Sequence, residues 1–111
     1  MTDRELLELA AKAAGIPLSH WEDDDDKPFD ENTDSYWNPL TYDGDALRLA
    51  VKLGLDVCID TPMETDPHTH AIGFLDDTSS TVDVIEHHGD PYVATRRAIV
   101  RAAAEIGKGM E

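Results

Sequence analysis

With 111 residues, 24 carboxylates against nine Lys and Arg and a formal net charge of −15, the chain has an unusually acidic surface for its size. That charge repels nucleic-acid backbones and anionic membranes at neutral pH and steers basic partners inward. The 41% apolar content is ordinary, so the charge does not imply disorder, and the length suits one domain with a modest core.

The elements can be read in chain order. Thr2-Asp3-Arg4-Glu5 has capping-box spacing, Leu6, Leu9, Ala10 and Ala13 share a face, and Gly15 is a stop, which predicts a first helix within 1–15. Residues 22–36 lack apolar periodicity and read as a loop. Within it, Glu22 to Asp34 hold eight carboxylates and one lysine in thirteen residues. Tyr36-Trp37-Asn38-Pro39-Leu40 is expected to pack back and close the loop, with Trp37 as a core residue. A second helix is predicted over 43–53, capped by Thr41 or Asp43 and stopped by Gly54, with Ala46, Leu47, Ala50, Val51 and Leu53 apolar. Three strands follow. In 55–59, Leu55, Val57 and Ile59 alternate inward against Asp56 and Asp60. In 69–75, Ile72 and Phe74 share a face with His70, and 81–86 is the third strand. The polar run 76–80 suits the turn of an antiparallel hairpin. The last helix begins at the cap Asp90 with Pro91 in its first position and runs through Ala94, Ala98, Ile99, Ala102 and Ile106 to Gly107. The fold class is therefore α+β, a three-stranded mainly antiparallel sheet layered with helices, in the order α, acidic loop, α-β-β-β-α. The same order occurs in double-stranded-RNA-binding domains, but these need basic residues that this chain lacks.

The stretch Trp37 to Leu53 (WNPLTYDGDALRLAVKL) and the stretch Asp90 to Ala102 (DPYVATRRAIVRA) resemble the helix blocks of a family of small bacteriophage and prophage proteins, the phage ABA sandwich domain. The resemblance spans roughly 37–106 and implies an α-β-α layered fold without an assigned activity. It carries over no catalytic residue. One domain over 1–111 results, comprising the first helix (1–15), the acidic loop (22–36) and the family-like body (37–106). The acidic loop and the histidine-bearing stretch 64–70 fall outside the shared pattern, so this member's specificity is expected there.

Asp23, Asp24, Asp25, Asp26, Asp30, Glu31 and Asp34, flanked by Trp21, are the partner-binding candidates. An extended chain places a side chain about every 3.3 Å, close to the roughly 3.4 Å of one DNA strand, so the run has the charge density of a phosphate backbone. It lacks the spaced ligands and turn glycine of a calcium loop. His68, His70, His87 and His88, near Asp66 and Glu86, are the one metal-like set. They are read as surface residues, with no metal or cofactor expected and a pH-dependent contact as the simpler role. Cys58 excludes an internal disulfide and is read as structural. Arg96, Arg97 and Arg101 are expected to make the last helix's exposed face basic. Met1 is followed by polar residues rather than a leader or anchor, so a cytoplasmic protein of the host cell is expected. The leading functional reading is a non-enzymatic phage accessory protein that binds a basic or nucleic-acid-binding host protein, in the manner of an anti-CRISPR inhibitor. It does so without touching nucleic acid or membrane, and a homo-oligomer stays open. The alternative is sequestration of a nucleotide signal by Arg97 and Arg101.

Overall fold

In the computed structural model, which describes residues 2–19, 28–31, 34–60, 68–74, 81–87 and 89–110, the chain opens on helix α1 (Asp3–Ala14). Trp21, Asp23 to Asp26, Asp66, His88 and the turn 76–80 lie outside the described residues. The capping box forms as its spacing requires. Glu5 N–H donates to Thr2 Oγ1 at 3.1 Å, and Thr2 N–H donates to Glu5 Oε1 at 3.2 Å. Those donors, the backbone one foremost and the Thr2 hydroxyl next, hold the Glu5 carboxyl below the usual glutamate range. A lowered folded-state pKa adds stability above the ordinary glutamate range, and that stability is lost as pH falls through Glu5's own lowered value. Thr2→Ala should cost about 1 kcal/mol at neutral pH. Urea denaturation should find the difference shrinking in acid, and an unchanged gap across the titration would contradict the box.

The buried face of α1 is Leu6, Leu7, Ala10, Ala11 and Ala14, with Leu9 only half-buried. Leu7, fully buried, was not in the expected set. The face is turned because α1 lies against the closing helix along its length and touches the second helix as well. Gly15, at φ +71°, ends α1 in the left-handed conformation that glycine adopts without a Cβ penalty.

The acidic stretch is not all loop. Phe29–Asp30 (β2) pairs antiparallel with Leu18–Ser19 (β1) on one side and with Ser35–Tyr36 (β3) on the other, giving a small sheet in the order β1-β2-β3. Short apolar pairs at 28–29 and 36–37 bring the ends together. Phe29 and Tyr36 meet edge to face at 5.8 Å, and Trp37 N–H donates to Pro28 O at 2.9 Å. Trp37 is buried at 5% exposure, so its expected core role holds. Two-residue strands leave no period for a sequence pattern to show, which is why the stretch reads as loop.

Helix α2 (Asp43–Leu53) begins at Tyr42, which makes no side-chain cap bond, in place of the expected Thr41 or Asp43. The preceding turn supplies the order instead. Asn38 Oδ1 accepts from Leu40 N–H and Asn38 O accepts from Tyr42 N–H, at 2.9 and 2.8 Å. Asp45, buried, accepts from Asn38 N–H at 2.9 Å and from Arg48 Nη2 at 2.6 Å, so its charge is fully engaged. Asp43 is freed from capping and pairs with Arg96 Nη1 at 2.6 Å. The core face of α2 is Ala46, Leu49 and Ala50, whereas Leu47 and Val51, members of the predicted helix's apolar set, are 65% and 73% exposed.

The main sheet is a meander of β4 (Asp56–Asp60), β5 (His68–Phe74) and β6 (Thr81–His87), all antiparallel, with Phe74 opposite Thr81 across the expected hairpin. Directly paired residues point to one side of a sheet. Val57, Ala71 and Val84 form one such row and face the helices. Helix α3 (Pro91–Lys108) lies on that face, Ala98 and Ala102 against Ala71, Val82 and Val84. Its cap is Asp90, whose carboxylate accepts from Tyr92 and Val93 N–H, as the sequence predicts. Gly107 does not end α3. It is an interior residue against which Leu9 of α1 closes, and the helix runs one residue further. α1 and α2 pack on α3, so among the described residues the second face of the main sheet carries no helix. The resemblance implies helices on both faces; the described part has them on one.

Candidate functional site

Small residues open a groove where α2, α3 and β4 meet. Ala46 and Ala50 of α2 are too short to fill the space above Val57 and Ile99, leaving a cavity of about 550 Å³. Its walls are large apolar side chains in water: Leu47 at 65%, Ile59 at 56% and Tyr92 at 70% exposure. Ile59 points toward the helices as its alternation predicts, yet nothing among the described residues covers it. The expectation that it is buried is therefore corrected. Val51 extends the same α2 stripe one turn on from Leu47. One end of the groove is closed by the Asp43–Arg96 pair, and Arg96 Nε also donates to Leu40 O at 2.9 Å. The alternation in β4 was legible, but the outward stripe of α2 was hidden because Leu47, Leu49 and Val51 all look alike by composition.

The acidic candidates part company. Glu31 and Asp34 are exposed, but Asp30 is buried at 4% and belongs to the small sheet rather than to the surface. Asp34 takes a left-handed backbone at φ 58°, and its N–H donates to Asp30 O at 2.9 Å, closing the turn. Beside it a second cavity of about 520 Å³ is lined by Asp30, Tyr36, Trp37, Asp45, Arg48 and Lys52.

The arginines of α3 do not form a free basic face. Arg97 bonds Asp3 at 3.2 Å and lies 4.0 Å from Glu86, Arg101 pairs with the same Glu86, and Arg96 is engaged as above. These pairs link α3 to α1, α2 and β6. A nucleotide phosphate at Arg97 and Arg101 would have to displace the carboxylates of Asp3 and Glu86.

The histidines fall on the sheet face opposite the helices. His87 stands across from His68, and His70 two residues along β5 shares their side. Cys58, exposed, is opposite His70 on β4. His70 Nδ1 lies 3.3 Å from Asp83 Oδ1.

Comparisons with known protein families, with curated proteins and with solved structures find no match. The likeness to the phage family stays an expectation. No helix among the described residues is long and apolar enough to cross a membrane.

Proposed function

We propose that this chain is a non-enzymatic, phage-encoded accessory protein that docks on a basic, nucleic-acid-binding host protein as a counter-defence inhibitor. The observation that carries the reading is the uncovered groove walled by Leu47, Ile59 and Tyr92 in a chain of net charge −15. Exposed apolar grooves of this kind mark interaction sites. The charge selects the occupant: a like-charged partner is repelled at long range, whereas a Lys- and Arg-rich surface is attracted. Asp43 lines the groove and Asp90 immediately precedes its residues Pro91 and Tyr92, so acidic groups stand beside the apolar seat. In this reading the acidic run Asp23 to Asp26, with exposed Glu31 and Asp34, supplies steering and Trp21 a flanking anchor.

The test is affinity capture from host lysate at low salt, followed by measured binding to the recovered protein. A nucleic-acid-binding protein should be enriched, released by added DNA and by high salt. Exposed anchors in such a seat are worth at least about 2 kcal/mol, or roughly thirty-fold in Kd. Leu47→Asp with Ile59→Asp should therefore weaken binding at least that far while leaving the fold intact. Recovery of no basic protein, or unchanged affinity of the double variant, would overturn the proposal.

A further inference from the structure

β4 is an edge strand of the main sheet. It pairs with β5 along one side, in an unbroken register from Asp56 opposite Ile72 to Asp60 opposite His68, and among the described residues no strand lies on its other side. Every second residue of such a strand turns its N–H and C=O outward, a template for pairing with another chain. The usual guards of an edge are Lys, Pro, a bulge or an inward-pointing charge. Asp56-Val57-Cys58-Ile59-Asp60 has neither Lys nor Pro, its register has no bulge, and Val57 and Ile59 are the residues on its helix side. The opposite edge is attended: β6 packs on α3, and Arg101 Nη1 donates to Ile85 O at 3.4 Å.

The helix side of the β4 edge is open too. A helix about 10 Å across covers roughly two strands at about 4.8 Å spacing. α3 takes β5 and β6, whereas β4 borders the groove, with Val57 and Ile59 among its lining and Leu47 of α2 across from them. A strand added beside β4 sets every second side chain about 4.5–5.5 Å from Val57 and Ile59, and so into the groove. Those side chains must be apolar to match walls that are 65% exposed at Leu47 and 56% at Ile59. The alternate ones stand on the other face of the sheet, beside exposed Asp56. A second copy of this chain is repelled there, because it brings the same aspartates and the same net charge of −15.

We infer that the segment entering the groove is an extended strand of a basic protein, added to β4 as a fourth strand, with apolar side chains in the groove and Lys or Arg beside Asp56. In strand addition, main-chain hydrogen bonds supply affinity and the alternate side chains supply specificity. The inference rests on the docking reading above and gives it a form. A helix laid in the groove would use the same walls but leave the outward amides of β4 unpaired, and this difference separates the two modes.

An alternating Lys-Val peptide, mixed with the full chain at low salt, tests it. The Leu47 and Ile59 methyl signals should shift in NMR spectra, and the β4 amides that face away from β5 should become protected from hydrogen exchange. Two further peptides carry backbone N-methyl groups at the lysines or at the valines, so that one of them loses the donors facing β4. Each ladder bond is worth roughly two- to ten-fold in Kd, so that peptide should bind about ten-fold or more weakly than the other. Equal binding by the two, or methyl shifts without protection of β4, would overturn the strand form and leave docking in the groove standing. Methyl signals unmoved by every basic peptide would sink both readings, and a Glu-Val peptide that binds equally well would overturn the basic class of partner.

Discussion

Replacing Gly107 with alanine is expected to lower stability by about 3 kcal/mol, at the upper end of what overpacking costs. On propensity alone the change should help, because alanine in a helix is favoured over glycine by up to about 1 kcal/mol. Geometry decides against propensity here. A Cβ on Gly107 would lie 2.1 Å from Leu9 O and 2.9 Å from Leu9 C, both backbone atoms of α1. Neither can swing aside as a side-chain tip would. The two helices must separate, and the α1 face of Leu6, Leu7, Ala10 and Ala11 would part from α3 with them. Gly44, near the start of α2, is the internal control. Its added Cβ would come within 3.3 Å of Arg48 Nη1 only, the far end of a side chain that is 75% exposed. Gly44→Ala should then be neutral or stabilising by up to about 1 kcal/mol. Urea midpoints of the two variants should move in opposite directions. A Gly107→Ala protein as stable as the parent would mean that α1 and α3 do not cross at this residue.

The same glycine marks a limit of what sequence reveals. A glycine after the last apolar residue of a helical pattern signals a stop, and Gly15 and Gly54 do stop α1 and α2 in the left-handed conformation. Gly107 carries the same local signature but serves a crossing with a residue nearly a hundred positions away, which no local pattern encodes. Local signals that need only neighbours were legible: the Thr2–Glu5 box, the Asp90–Pro91 start, the alternation of β4 and the β5–β6 hairpin. What depended on tertiary partners was not. Leu47, Leu49 and Val51 are equivalent by composition, and only the placement of α3 decides that Leu49 is buried and its neighbours wall a groove. Arg97 and Arg101 look like a basic face until Asp3 and Glu86 arrive from other elements to pair with them. The histidines were legible as a set, but their shared face needed the register of the hairpin. His68 opposite His87 follows from the register across a hairpin, and a one-residue slip would have turned the two to opposite faces.

Trp37→Ala is expected to cost about 3–5 kcal/mol, a large fraction of the 5–15 kcal/mol that holds an ordinary domain together. Trp37 is 5% exposed in the core cluster that also holds Leu7, Leu49 and Val100, so truncation opens a void where α1, α2 and α3 meet. Its backbone N–H donates to Pro28 O, and its neighbour Tyr36 pairs with Phe29. The side chain is thus the peg by which the small sheet, and with it the acidic segment, is fixed to the body. Trp37→Phe keeps an aromatic ring in the same place and should recover most of the loss. Hydrogen exchange separates the local from the global consequence. In the alanine variant, amides of β2 and β3 should lose protection by more than those of β5 and β6, because among the described residues β5 and β6 pack far more extensively on a helix than the small sheet does. Equal loss across both sheets would mean that Trp37 contributes only bulk to the core. If the small sheet does loosen, the exposed carboxylates Glu31 and Asp34 lose their fixed direction relative to the groove, although the net charge of −15 is unchanged. Affinity for a basic partner should then fall less than with the groove variants, since long-range attraction depends on total charge, while the groove itself stays walled by Leu47, Ile59 and Tyr92.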